Sequence, residues 1–244
     1  DKIIQEIQDL LTCFRLFDIG DIGFGNYVFE DEDDGQSSLL STFNPVNVSH
    51  KHNYSFETAK IKRFNDFREE IRNKPGYNND FFRFALSYFM RGVDRGFFHD
   101  PMRWGGRVVD YCIALESLFL IDGERYFLKT TLAKRIKKFL SDDASERLVK
   151  NMYNERSKVV HGAYIKSGSS GNIRQEDKEE FERLLRRIFL KLFDYNFQSK
   201  AEMVQFMRKL FNVPKEVLKI MSGAQTNADQ KLKLAISSDV KERN

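Results

Sequence analysis

Two charged side chains that interrupt apolar stripes are the residues best placed to do chemistry. Arg156 lies within the stripe of a predicted helix at 144–161, and Glu116 holds the same kind of position on a predicted helix at 103–121. Leaving either charge unpaired in a low-dielectric interior costs on the order of several kcal/mol. We therefore expect both side chains to face one buried or inter-subunit seam. The plainer alternative is a structural ion pair that ties two helices together.

Both stripes follow from the helical period of about 3.6 residues per turn. Arg156 comes about one turn after Met152 and one turn before Val160, so it shares their face. The stripe around Arg156 contains Leu148, Val149, Met152, Tyr153, Val159, Val160 and Ala163, and the stripe around Glu116 contains Val108, Val109, Cys112, Ile113, Phe119 and Leu120.

His161 follows Arg156 by five residues and directly precedes Gly162. Because glycine commonly ends a helix, we expect His161 in the last turn, where the helix dipole favours a protonated imidazole. Positions i and i+5 are about 140° apart on an ideal helix, although the helix end and the long arginine side chain relax that separation. Taken alone, His161 is more simply a capping histidine.

The remaining histidines favour structural interpretations. His99 and Asp100, with Arg95 and Arg103 nearby, are typical of a polar turn between helices that ends at Pro101. The alternative interpretation of His99 and Asp100, an acid–base pair, is the less favoured one.

No pattern in the sequence indicates a metal or cofactor. His50 and His52 lack an acidic or thiol partner nearby, which favours a solvated loop. Gly23-x-Gly25 lacks the third glycine of a dinucleotide fingerprint and is interpreted as turn chemistry. Because the sequence also lacks a phosphate loop, a Ser/His/Asp order and a zinc-ligand spacing, we expect no metal and no cofactor.

Basic residues cluster on two predicted helices, where they could contact RNA phosphates or form solvated helix surface. Solvated surface is the favoured interpretation for each residue singly. The two clusters are Lys134, Lys137 and Lys138, and Arg183, Arg186 and Arg187.

Apolar periodicity predicts a mainly α fold, an antiparallel helical bundle with a short extended or hairpin segment near the N-terminus at 20–29. The acidic run 30–34 and the Ser- and Asn-rich segment 36–51 are predicted to be solvated loop, and 167–171 a flexible connector. The predicted helices are 3–17, 56–71, 79–93, 103–121, 130–140, 144–161, 175–197, 201–211 and 215–221.

Composition narrows the class of protein. The chain has 244 residues, 41% of them hydrophobic and 31% charged, and a net charge of +4, which excludes a disordered chain. Two cysteines exclude a disulfide framework, no run is long enough for a membrane span, and no signal peptide is evident, so we expect a cytoplasmic protein. The absence of an initiator Met leads us to expect a piece of a longer protein.

The predicted divisions are an N-terminal appendage at 1–75, a helical bundle at 76–198, short helices at 199–222 and a polar tail at 223–244.

Two segments resemble a known family. The run from Tyr153 to Gly162 (YNERSKVVHG) resembles the signature of HEPN ribonuclease-like domains, especially the ApeA-like branch of antiphage and abortive-infection systems. The run from Tyr111 to Leu118 (YCIALESL) is similar to an earlier helix of the same family, with Glu116 at its characteristic acid. The resemblance covers residues 79–197, and residues 1–75 match no motif of it.

The resemblance implies a helical bundle that dimerises through the helices carrying Arg156 and His161, and that cuts RNA without a metal to leave a 2′,3′-cyclic phosphate. Arg156 would stabilise charge on the scissile phosphate, and His161 would move protons. Glu116 would orient Arg156. Ser157 stands where many active members carry Asn, Asp or His, and its hydroxyl still forms hydrogen bonds.

RNA, with tRNA as one candidate, is the partner that the resemblance implies. The expected RNA contacts are Tyr153, Lys158, Lys134, Lys137 and Lys138. Two alternatives stay open: a catalytically silent module for dimerisation or for RNA or nucleotide binding, and a structural partner domain beside an N-terminal sensor region.

Overall fold

The computed structural model describes residues 2–18, 26–30, 37–41, 57–95, 101–121, 124, 126–162, 174–198 and 200–211. In these ranges the chain forms helices and one antiparallel pair of strands, so the predicted mainly α bundle is confirmed. The elements in chain order are α1 Lys2–Phe17, β1 Asn26–Glu30, β2 Ser37–Ser41, α2 Thr58–Asn73, α3 Asp80–Asp94, α4 Pro101–Phe119, α5 Leu128–Leu140, α6 Asp143–Val160, α7 Gln175–Leu192 and α8 Lys200–Phe211.

One hydrophobic core runs through the described helices. α1 contributes Cys13 and Leu16, α2 contributes Phe64 and Ile71, and these side chains join the core of the later helices. α4 packs against α3, α5 and α6, while α1 packs on α2, α3 and α7. The core therefore continues across the predicted domain boundary at residue 75.

Aromatic rings fill the centre of this core. The Phe89 ring centroid lies 5.4 Å from that of Phe189 and 5.7 Å from that of Tyr111. Tyr111 is in turn 6.1 Å from Phe181. Aromatic pairs at such separations stabilise a fold beyond the area they bury, which gives the phenylalanine-rich composition a structural role.

Local sequence sets several helix ends. Asn79 caps α3 by accepting a hydrogen bond from the Phe81 N–H at 2.9 Å, and Asp142 caps α6 by accepting from the Ala144 N–H at 3.0 Å. α6 ends at Val160, and Gly162 adopts a φ of +70°. That left-handed conformation suits glycine, so the predicted helix stop is confirmed.

A buried set of charges, here called the Glu182 cluster, joins α4 to α7. The Glu182 carboxylate accepts hydrogen bonds from Arg107 at 3.1 Å, Tyr111 at 2.8 Å and Arg186 at 2.5 Å. All four residues are at most 5% exposed. Burial alone would raise the pKa of Glu182, but the charges of Arg186 and Arg107 outweigh it and hold that pKa below its usual range.

The end of α7 differs from the prediction, which extended that helix to residue 197. α7 ends at Leu192 because the following backbone has tertiary partners. The Phe193 carbonyl accepts the Gly76 N–H at 2.8 Å, and the Phe197 carbonyl accepts the Asn79 side chain at 2.9 Å. A Cβ on Gly76 would lie 2.4 Å from the Tyr195 carbonyl oxygen, so the close approach requires glycine.

Three further expectations need correction. Residues Ser37–Ser41, expected to be loop, form β2 and pair with β1 in antiparallel register. The aromatic residues around the predicted helix 79–93 indicate burial on most of its surface, yet Phe84 is 55% exposed, because α3 packs through its other face. Val160 is also 55% exposed, because the stripe of α6 leaves the core near the helix end.

Some expectations fall on residues outside those described. They concern the predicted helix at 215–221, the polar tail at 223–244, the connector at 167–171, and the groupings of His50 with His52 and of His99 with Asp100.

Candidate functional site

The structure brings Glu116 of α4 and Arg156 of α6 together. Arg156 Nη2 lies 3.5 Å from Glu116 Oε1, and their side chains are 27% and 21% exposed. The expectation that both face one seam is confirmed, with the seam lying between α4 and α6 of a single chain. Both side chains lie at the margin of the core, since each keeps access to the surface.

Tyr153 completes this group, which we call the Glu116 cluster: Glu116, Tyr153 and Arg156. Tyr153 precedes Arg156 by three residues, and the Arg156 Cζ lies 5.2 Å from the centre of its ring. Burial, the charge of Glu116 and a hydrogen bond to that carboxylate raise the pKa of Tyr153 to about 12. Tyr153 therefore stays protonated at neutral pH and donates its hydroxyl hydrogen to Glu116.

Cys112 lies beneath the cluster, one turn before Glu116 on α4, and is 1% exposed. Burial and the neighbouring carboxylate raise the pKa of its thiol, while Arg156 opposes the shift. A buried neutral thiol is a poor nucleophile, so Cys112 acts here as an apolar floor.

Two polar atoms of the cluster retain unused hydrogen-bonding capacity. Within the described residues, the buried Glu116 Oε1 and Arg156 Nε have no hydrogen-bond partner. Glu116 Oε1 is also the atom that forms the ion pair with Arg156 Nη2 at 3.5 Å, so the two side chains are held together by charge.

His161 and Ser157 lie farther along α6. His161 is exposed at the end of the helix, where its backbone N–H donates to the Ser157 carbonyl at 3.0 Å. In the part of the chain that the structure describes, the imidazole has no hydrogen bond or ion pair, so the structure does not join it to the Glu116 cluster. Ser157 is half-buried beside Arg156.

The lysines predicted to contact RNA fall into two groups. Lys134 and Lys138 are exposed on α5. Lys137 pairs with Asp143 at 2.6 Å, which raises the pKa of Lys137, and Lys158 pairs with Glu155 at 2.5 Å. Lys134 and Lys138 are thus the more available cations.

Arg186 requires a correction, because both interpretations of the α7 arginines assumed an exposed side chain. It is 5% exposed and belongs to the Glu182 cluster. Arg183 and Arg187 do lie at the surface, where they pair with Glu179 and Asp142.

Besides Glu182, a second buried carboxylate pairs with two arginines, and sequence reasoning missed it. Asp110 of α4 is fully buried and pairs with Arg91 of α3 and with Arg95, which directly follows that helix; their side chains are 53% and 41% exposed. The sequence does contain a signal for this pairing. Asp110 lies among the apolar residues of α4, and Arg91 and Arg95 are four residues apart in the preceding segment, a spacing that puts both on one helix face.

A cavity of about 360 Å³ lies apart from these residues, where the end of α7 meets α8. Its walls include Tyr195, Phe197 and Phe206, with Glu202 and Lys209. None of the predicted site residues lines it.

The described residues contain no group of three or more histidine, cysteine, aspartate or glutamate side chains arranged to hold a metal ion. None of the described helices combines the length and apolar character that crossing a membrane requires. No protein-family model matches the chain, and no curated protein or solved structure matches it either.

Proposed function

We propose that this chain is a HEPN-type endoribonuclease, a homodimer that cuts RNA without a metal as a defence or toxin effector in the cytoplasm. The Glu116 cluster is the observation that carries the proposal. The Arg156 side chain is 27% exposed, and its guanidinium lies 3.5 Å from the Glu116 carboxylate and 5.2 Å from the centre of the Tyr153 ring. Such an arginine is oriented by its neighbours yet reaches the surface, where a phosphate can meet it.

Arg156 and His161 have complementary tasks in this reaction. His161 takes the proton of a ribose 2′-hydroxyl, whose oxygen bonds to phosphorus as the bond to the 5′-oxygen breaks. A protonated imidazole returns a proton to that leaving oxygen. Arg156 stabilises the charge on the non-bridging oxygens, and the products are a 2′,3′-cyclic phosphate and a 5′-hydroxyl.

Two copies of the chain provide both groups at one phosphate. Five residues of helix separate Arg156 from His161 by a rise of about 7.5 Å and a rotation of about 140°. At that separation Arg156 and His161 of one chain do not both reach the same phosphate. A second copy facing α6 supplies the missing His161 or Arg156. Tyr153 and Lys158, with Lys134, Lys137 and Lys138 of α5, are the proposed contacts to the RNA.

The test compares Arg156→Ala and His161→Ala with the wild type on total RNA and tRNA in EDTA, following both cleavage and end chemistry. Arg147→Ala is the matched control, because Arg147 is an exposed arginine of the same helix about 180° from Arg156. We expect wild type and Arg147→Ala to leave 2′,3′-cyclic ends, and both site variants to lose at least about 100-fold in rate.

Two results would contradict this proposal. Equal cleavage by wild type and His161→Ala would assign the activity to another site or to a contaminant. Cleavage that stops in EDTA and returns with a divalent cation would contradict a metal-independent reaction.

A second candidate function is a HEPN module that dimerises or binds RNA or nucleotide without catalysis. The observation that favours it is His161, which is exposed at the end of α6 beside the exposed Val160 and is not joined to the Glu116 cluster. An intact dimer that cuts no class of RNA, and that Val160→Glu separates into monomers, would support this function over the enzyme.

A further inference from the structure

Helix α3 presents a row of aromatic and basic side chains that the proposed reaction does not use. Phe84, Tyr88, Arg91 and Arg95 are spaced by four, three and four residues, which puts them on one helix face. Phe84 is 55% exposed, and the side chains of Arg91 and Arg95 are 53% and 41% exposed. We call these four residues the α3 stripe.

Asp110 of α4 pairs with the guanidiniums of Arg91 and Arg95 from the buried side of the stripe. Its carboxylate is fully buried and accepts from Arg91 Nε at 2.9 Å and from Arg95 Nε at 2.5 Å. One carboxylate balances only one of the two positive charges. The pair of arginines is therefore both pre-oriented and net positive, an arrangement that suits anionic oxygens at the surface.

The aromatic members continue the same row. The rings of Phe84 and Tyr88 lie 4.9 Å apart, and the Arg91 guanidinium stacks over the Tyr88 ring at 4.3 Å. Arg91 covers one face of Tyr88, whereas Phe84 keeps more than half of its surface open. An exposed ring next to oriented cations is the combination that single-stranded nucleic acid uses, with bases on rings and phosphates on cations.

The charges around the stripe favour this ligand over a second copy of the chain. Among the described residues of α3, the exposed acids are already paired, Asp80 with Arg83 and Asp94 with Arg15. A symmetric dimer contact through the stripe would enclose the arginines of both copies in one interface with only the two Asp110 carboxylates to balance them, and the net positive charge opposes that contact.

We propose that the α3 stripe binds single-stranded RNA, with a base stacked on Phe84 and neighbouring phosphates on Arg91 and Arg95. The inference rests on the proposed function for the identity of the ligand. α4 packs against both α3 and α6, so the stripe and the Glu116 cluster border the same helix. A strand crossing α4 contacts both, and the stripe sets where along the RNA the cut falls.

The test measures the binding of a fluorescein-labelled oligouridine about twelve nucleotides long, by anisotropy in EDTA, with cleavage blocked by His161→Ala. In that background, Phe84→Ser is expected to weaken binding about tenfold, since it removes a stacking ring at an exposed site. Arg83→Gln is the matched control, because Arg83 lies on the same helix with its side chain 62% exposed, about 100° from Phe84. We expect its affinity to match that of the background.

A second variant tests the arginines without stranding a buried charge. Arg91→Gln and Arg95→Gln are combined with Asp110→Asn, which removes the carboxylate that the arginines would leave unpaired. Loss of two phosphate contacts lowers the slope of log affinity against log salt by about 1.4. Circular dichroism and thermal melting establish that each variant is folded.

Unchanged affinity and salt slope in folded variants would overturn the inference, as would tighter binding of the matching DNA oligomer than of RNA. It would also be overturned if Phe84→Ser separated a dimer and left RNA affinity intact. The proposed function fails separately: RNA that binds through the stripe but is never cut by the otherwise wild-type chain defeats the nuclease and keeps this inference.

Discussion

The same substitution at Glu116 and at Glu182 separates a positioning carboxylate from a structural one. Glu116 lies 3.5 Å from Arg156, with side-chain exposures of 21% and 27%. Coulomb's law at that distance gives about 1 kcal/mol in water and about 5 kcal/mol at an effective dielectric constant near 20. Desolvation and side-chain entropy leave about 0.2 to 1 kcal/mol for pairs with this much access to water. We expect Glu116→Gln to lower the free energy of unfolding by no more than about 1 kcal/mol.

Glu182 is the opposite case. Its side chain is 1% exposed and faces the buried guanidiniums of Arg107 and Arg186. Glu182→Gln leaves both positive charges in the core without a counter-charge, and breaking a buried pair in this way costs about 3 to 5 kcal/mol. At about 2 to 4 °C per kcal/mol for a chain of this size, Tm falls by roughly 6 to 20 °C, against at most about 4 °C for Glu116→Gln.

Urea and thermal unfolding of the two variants, followed by circular dichroism, measure this difference, and RNA cleavage measures the function. Glu116→Gln is expected to lose cleavage by about tenfold or more while staying folded, because Arg156 loses the group that orients it. Equal destabilisation of both variants would refute the reasoning and make Glu116 a structural tie. A fully active Glu116→Gln variant would refute its positioning role.

Three further predictions concern stability. The pKa of Tyr153 rises from about 10 in the unfolded chain to about 12, so its contribution to stability is complete below pH 10 and is lost as the pH rises towards 12. In urea unfolding, the stability of Tyr153→Phe should not show this loss between about pH 10 and about pH 12. Identical pH profiles of stability for the variant and the wild type would contradict the assignment. Gly162 has a φ of +70° and open space where a Cβ would lie, so Gly162→Ala should cost about 1 to 2 kcal/mol from the backbone alone. An unchanged Tm for that variant would count against the left-handed helix end. A Cβ on Gly92 would lie 2.4 Å from the buried Tyr111 ring, so Gly92→Ala should cost about 1 to 3 kcal/mol. Gly106→Ala is its control and should cost less, because its nearest neighbour, the Arg95 side chain, is 41% exposed and can shift towards solvent, and the reverse order of stability would show that the ring can move.

Sequence periodicity predicted the helices well where the stop signals are local. α6 was expected at 144–161 and spans Asp143–Val160, because an aspartate caps one end and a glycine follows the other. The end of α7 was missed because Phe193 and Phe197 direct their carbonyls to Gly76 and Asn79, more than a hundred residues earlier in the chain. No local pattern carries that information.

The sequence predicted which side chains of the candidate site pair, but not how deeply the site is buried. Charges within apolar stripes require partners, so Glu116 and Arg156 could be expected to meet. Periodicity does not tell the centre of a packed face from its margin, which is why Val160 was expected inside and lies at the surface. The roles of His161 and Ser157 in catalysis stay predictions, since they depend on RNA and on a second copy.

The Glu182 cluster was missed for a related reason. Glu182 and Arg186 are four residues apart, a spacing typical of exposed pairs on a helix surface. Only the tertiary partner Arg107, 75 residues earlier, shows that the pair faces inward. Sequence alone gives no measure of which charged face of α7 turns towards the core.

The hydrogen bond from Arg186 Nε to the Arg15 carbonyl has a consequence for dissecting the chain. It joins residues 171 positions apart at 2.5 Å, in a part of the core that also holds Phe89. A fragment starting at residue 76 loses that acceptor and opens the side of α7 that α1 covers. The first helix therefore packs on α7 within one core, and we expect the two helices to unfold together and the long loop between them to slow folding. Proteolysis that removes α1 should unfold the site helices rather than release them intact.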